Sequence, residues 1–200
     1  MQAFKRSSTW LATNLPLLRR LFDLAEAARK AGVAPTESDL HSLVYLLQEA
    51  FHLSLDCRFK LWGSAPWSED LRSHLASLLA YGYCAYATKP GDPEAHFVAG
   101  PAAASLLRFS EPLSKDYATK LALVLDSLSR SPHLPWPAVS TAAYFLLKGD
   151  CNPTEPLLTR MPNLSKQDVG LAIDIAAGIL RANQSTPLSW RLFSMPVIAH

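Results

Sequence analysis

Apolar residues recur along this chain at the spacing of amphipathic helices. Leu17, Leu18, Leu21, Leu24, Ala25 and Ala28 share one side of a helical turn, with the pairs Arg19–Asp23 and Glu26–Lys30 on the wet side. Asn14 predicts the helix start, Pro16 sits in its first turn where a missing N–H costs nothing, and Gly32 stops it. Thr36, with Asp39 three residues on, reads as a capping box. The helix it opens carries Leu40, Leu43, Val44, Leu46, Leu47, Ala50 and Phe51, a face wide enough to need partners on several sides.

From His52 to Trp62 the pattern changes to alternation: Leu53, Leu55, Cys57, Phe59 and Leu61 against Arg58 and Lys60. Period two predicts a half-buried strand. Gly63-Ser64-Ala65-Pro66 turns the chain, and Ser68 caps a helix with Leu71, Leu75, Leu78 and Leu79 inward, closed by Gly82. Residues 83–87 and 96–99 flank Lys89-Pro90-Gly91-Asp92-Pro93, which predicts a hairpin. Helix, helix, strand, helix, hairpin is the order of a winged helix, covering residues 13–100.

Gly100-Pro101 opens a second stretch, a helical subdomain over 101–183. Helices are expected from Ser110 to about Leu128, from Pro137 to Lys148, and after Ser165, where Asp168 repeats the capping signal. Residues 131–137 form a stiff Pro-rich connector and 150–164 a Pro-rich bend. The tail, 184–200, carries Trp190, Phe193, Val197 and Ile198, which predicts docking on the body or on a partner. The expected fold class is mostly α with a small β-hairpin or sheet.

Composition agrees with a folded chain: 49% of the 200 residues are apolar and 18% charged, ample for a core without disulfide or metal. The net charge of +2 is far from the basic excess of a protein that lives on phosphates. Cys57, Cys84 and Cys151 are scattered without CxxC spacing, which points to reduced thiols and a cytoplasmic setting. Asn14, Arg19 and Arg20 interrupt any signal-like core, and nothing approaches the roughly 20 apolar residues of a membrane span. No membrane partner is expected.

Residues 40–82 carry a further pattern. Leu40-His41-Ser42-Leu43-Val44-Tyr45-Leu46-Leu47-Gln48-Glu49 leads into Arg58-Phe59-Lys60-Leu61-Trp62-Gly63, then Pro66-Trp67-Ser68-Glu69-Asp70-Leu71 and Leu78-Leu79-Ala80-Tyr81-Gly82. This resembles the YwgA-like family of uncharacterised prokaryotic proteins, with its "K-L-V-Y-L-L-Q-E" helix, strand-to-helix turn and "D-L-x-x-L-x-x-L-G" helix. Met161-Pro162-Asn163-Leu164-Ser165 through Val169 is similar to a stretch near that family's C-terminus. Ser42 stands where the family has Lys, and the turn at Gly63–Ser68 is two residues longer. The resemblance implies a winged-helix-like regulator or accessory protein, with no activity to carry over.

Chemistry-bearing motifs are sparse. GxSxG, HExxH, Walker and GxGxxG patterns are missing from the sequence. His52 with Cys57, and Cys84 with His96, fall short of the three or four ligands a metal needs. No catalytic, cofactor or metal residue is assigned, and no cofactor is expected. The nucleic-acid candidates are Arg19, Arg20, Arg58, Lys60, Arg72 and Lys89, but Glu69 and Asp70 stand at the helix end where groove contacts form. The protein-interface candidates are Trp62, Trp67, Tyr83, Tyr86, Trp190 and Phe193. The reading is a non-catalytic regulatory or adaptor protein whose partner is a protein or a second copy. A sequence-specific DNA-binding regulator is the alternative, and an enzyme with a non-local site the third.

Overall fold

Helix α1 spans Gln2–Lys30 in the computed structural model, which describes residues 2–88, 91 and 93–184, and side chains within 13–182. Pro16 therefore lies inside the helix and not in its first turn, which corrects the start expected at Asn14. The proline removes one i→i−4 hydrogen bond, while the stripe from Leu18 to Ala28 is buried and holds the helix to the core. Gly32 ends it at φ +90°, with the Val33 N–H reaching the Ala28 carbonyl at 3.1 Å, a left-handed stop that suits glycine.

Helix α2 (Glu37–Phe51) has the expected capping box: Thr36 Oγ1 accepts from the Asp39 N–H at 3.2 Å and the Asp39 carboxylate accepts from the Thr36 N–H at 3.0 Å. Leu40 through Leu47 are buried without interruption, so α2 is the central helix. It ends at His52, which takes the left-handed conformation (φ 53°) usually left to glycine.

The strand expected from 52 to 62 is only partly formed. Burial does alternate along it, with Leu55 and Cys57 inside and Ser54, Asp56 and Arg58 outside. Pairing is confined to β1 (Lys60–Trp62) against β2 (Ala65–Trp67), antiparallel, with Lys60 opposite Trp67. The left-handed residues His52 and Asp56 break the extended backbone before Lys60. Pro66, expected in a turn, sits within β2, which an unshared strand edge tolerates.

Ser68 caps helix α3 (Glu69–Ala80) through the Leu71 N–H at 3.3 Å. The expected hairpin follows as β3 (Cys84–Thr88) and β4 (Ala95–Ala99), in register from Cys84↔Ala99 to Thr88↔Ala95. The two ribbons are separate two-stranded sheets. Gly100 closes the base of the second: a Cβ there would stand 2.3 Å from the Gly82 carbonyl oxygen.

Helices α4 (Ala103–Phe109), α5 (Lys115–Ser129), α6 (Trp136–Leu147), α7 (Thr154–Arg160) and α8 (Lys166–Gln184) complete the order. The short α4 and α7 were not expected; α7 replaces part of the Pro-rich bend, with Pro156 in its first turn. Small side chains let α6 lie against α2, where the Ser140 hydroxyl donates to Ser42 at 3.1 Å in full burial. One connected set of buried apolar residues runs from α1, α2 and α3 into α5, α6 and α8, without a break at residue 100. Among the described residues no helix is long and apolar enough to cross a membrane.

Candidate functional site

The β1–β2 ribbon and the start of α3 form a mixed aromatic and charged face. The Trp67 ring lies flat on the His41 ring, 3.8 Å between centroids and 4° between planes. His41 is buried on α2, and its Nδ1 accepts from the Ser68 N–H at 3.1 Å. A backbone N–H only donates, so Nδ1 is the bare nitrogen and Nε2 carries the proton. Among the described residues Nε2 has no hydrogen-bond partner; the Glu37 carboxylate is 4.0 Å away, too far for a bond. Burial, aided by the nearby Arg72 charge, pushes the His41 pKa down to about 4. His41 is thus a neutral pedestal that fixes Trp67.

Trp62 stands at the other end of the ribbon, 67% exposed, with the Lys60 ammonium 4.9 Å above its ring. Tyr86 on β3 is half exposed and edge-on to the buried Phe97. Tyr83 is buried and stacks on Tyr81, which corrects its place among the interface candidates: the turn after α3 folds it into the core. Trp190 and Phe193 lie outside the described residues, as does Lys89.

The basic candidates do not converge. Arg58 makes a two-toothed bond to Asp70, 3.0 Å from each oxygen, and its N–H adds a third at 3.1 Å. These bonds, the Arg58 side chain first, hold the Asp70 carboxyl down to about 2. Arg72 lies 3.9 Å from both Glu37 and Glu69, and the Trp67 indole N–H donates to Glu69 at 3.2 Å. Three carboxylates (Glu37, Glu69, Asp70) thus face two guanidiniums (Arg58, Arg72) around the start of α3. The acidic character read at Glu69 and Asp70 is reinforced by Glu37, a neighbour distant in sequence.

Arg19 and Arg20 have opposite surroundings. Arg19 is buried: it pairs with Asp23 at 2.9 Å and donates to the carbonyls of Leu107 (3.2 Å) and Ser110 (2.8 Å). It clamps the α4–α5 connection onto α1 and is closed to phosphate, a correction to its standing as a nucleic-acid candidate. Arg20 is exposed and opens into a cleft of about 680 Å³ between α1, the loop after α2 and residues 109–114. His52, Tyr117, Phe109 and Glu111 also line it. Sequence reasoning singled out Arg20 but neither the cleft nor the His41 pedestal. The one available signal for the latter was a histidine embedded in the apolar run of α2.

Among the described residues no group of three or more His, Cys, Asp or Glu side chains could hold a metal ion. What fold and face define is a mostly helical protein with two small antiparallel hairpins, one of them bearing the exposed Trp62 and the Trp67 ring stacked on His41. Comparison with protein-family models, curated proteins and solved structures finds no match to this chain.

Proposed function

We propose that this chain is a non-catalytic regulatory or adaptor protein that works through contact with another protein, a second copy included. The observation that carries the reading is Trp62, two-thirds exposed on a ribbon whose other tryptophan is pinned by its stack on His41. A large aromatic ring already exposed is apolar area that a partner can cover, which suits an interface anchor. Lys60, Glu69, Arg72 and Tyr86 supply the polar and aromatic surroundings such a contact uses.

The order α1, α2, ribbon, α3, hairpin supports a winged-helix-like unit over residues 13–100, and the YwgA-like resemblance of residues 40–82 points the same way. Sequence-specific DNA binding is the alternative that this order allows. It is disfavoured because the start of α3, which would enter a groove, carries more carboxylate than guanidinium. Cys57, Cys84 and Cys151 are all unpaired, in keeping with a reducing cytoplasmic compartment.

The test compares the full chain with Trp62→Ala by sedimentation velocity, by cross-linking to co-purifying protein, and by DNA mobility shift across salt. The expected result is self-association or a stoichiometric protein complex that Trp62→Ala weakens about tenfold or more, with no DNA shift. A strictly monomeric protein that enriches nothing over the variant overturns the reading. A DNA shift that fades steeply with salt replaces it with the alternative.

A further inference from the structure

The cleft that Arg20 opens into is separate from the tryptophan ribbon and has the make-up of a small-molecule site. Its volume of about 680 Å³ falls within the roughly 300–1,000 Å³ of ordinary ligand pockets. Leu15, Pro16, Leu53 and Leu113 give it apolar walls. Phe109, also in the lining, is 69% exposed, the most exposed large apolar side chain among the described residues. The Arg108 guanidinium lies 5.4 Å from the centroid of that ring, and the rest of the ring is apolar surface that an occupant would cover.

Beside those walls the lining carries Arg20, Glu111, Tyr117 and three serines (Ser54, Ser110 and Ser114). Arg20 has no ion pair or hydrogen bond among the described residues, unlike Arg19, Arg29, Arg58, Arg72 and Arg130, which are all engaged by carboxylates. Tyr117, from α5, is 7% exposed, and its hydroxyl is buried without a hydrogen-bond partner among the described residues. Burial raises the Tyr117 phenol above its usual range, and the Arg20 charge opposes that rise. A buried polar atom without a partner is rare in a folded chain and marks a place where a further group belongs.

The position of the cleft is built in by the core. Buried Arg19, fixed by Asp23, holds the Leu107 and Ser110 carbonyls and so sets the wall that carries Phe109 and Glu111 against α1. One residue on, Arg20 faces the space so created. Glu111 lies exposed on the lining, so an anion must be seated by Arg20 and away from that carboxylate. This favours one compact charge on an apolar body over a polyanion such as a nucleotide, whose spread charge would meet Glu111. A planar carboxylate also matches the two-toothed donor geometry of a guanidinium.

We infer that this cleft binds a small organic carboxylate with an aromatic or alkyl body, its carboxylate on Arg20 and its apolar part against Phe109 and Leu53. The inference does not depend on the partner reading.

The experiment is calorimetric titration of the 200-residue chain with indole-3-acetate and 4-phenylbutyrate, each beside its neutral primary amide. The expected result is saturable binding of at least one acid, with its amide weaker about tenfold or more. Arg20→Gln should remove that preference, and Phe109→Ala should weaken acid and amide alike; both residues are exposed, so neither change threatens folding. Trp62→Ala should leave the titration unchanged, which separates this site from the protein-binding face. Equal affinity for acid and amide, an acid affinity unmoved by Arg20→Gln, or no binding of either acid overturns the inference.

Discussion

Buried His41 should make the fold acid-sensitive in a defined window. Its pKa is pushed from the usual 6.5 to about 4, first by burial and then by the Arg72 charge. A group whose folded pKa lies below its unfolded one contributes stability that is present above the unfolded value and is lost as pH falls toward the folded value. The shift from 6.5 to about 4 corresponds to about 3 kcal/mol, lost progressively between those two pH values. The structural cost is visible: a doubly protonated ring cannot accept the Ser68 N–H, and it would carry a charge under the Trp67 stack. Glu37, 4.0 Å from Nε2, softens the penalty but is itself raised by burial, so it too neutralises as the medium acidifies. The assay is urea unfolding of the native chain and of His41→Phe at steps from pH 7 to pH 4. Phenylalanine keeps the stack but leaves the Ser68 N–H without its acceptor, which lowers stability at pH 7 by about 1–3 kcal/mol. The native chain should then lose about 3 kcal/mol more than the variant across the window, because His74, Glu37 and Asp39 titrate in both. Parallel stability curves for the two proteins would refute the burial argument.

Three further substitutions probe the packing. Gly100→Ala should destabilise the fold by about 2–3 kcal/mol in urea unfolding, since its Cβ would lie 2.3 Å from the Gly82 oxygen and 2.8 Å from the Cys84 oxygen, both backbone. Gly178→Ala on α8, where a Cβ meets nothing within 4 Å, should instead be neutral to stabilising by up to about 1 kcal/mol. Tyr117→Phe should raise the stability of the ligand-free chain by about 1 kcal/mol, because it removes a buried hydroxyl that has no partner. A loss of stability on that change would mean the hydroxyl is satisfied in solution.

The helices with wide apolar stripes were legible because burial and periodicity state the same fact twice. The capping box at Thr36, the stop at Gly32 and the cap at Ser68 all stand where local chemistry put them. Failures came where local signals serve two masters. Pro16 reads as a helix start because the first turn is where proline costs least, yet the packing of Leu18 to Ala28 tolerates it inside. The alternation from His52 to Trp62 recorded which side chains are exposed, and that part holds. Alternation says nothing of whether a neighbouring strand exists to pair with, and until Lys60 none does. The seven-residue helices α4 and α7 are too short to print a stripe, and Pro153 and Pro156 disguise the second as a loop.

The site was legible in residue type and not in role, for a reason the pair Arg19 and Arg20 makes concrete. Successive residues on a helix point about 100° apart, so one of two neighbouring arginines can turn toward the body while the other faces out. Which one turns in depends on what lies there, and the carbonyls that receive Arg19 are 88 and 91 residues away in sequence. The i,i+4 partner Asp23 was visible, but it fits a solvated ion pair as well as a buried clamp. The same holds for Arg58, whose carboxylate lies 12 residues on, and for Arg72, which bridges to Glu37 across two elements. A basic residue is available to a ligand only when distant carboxylates and carbonyls leave it so. Among the described candidates Arg20 meets that condition, and it does so beside an exposed phenylalanine and a hydroxyl without a partner.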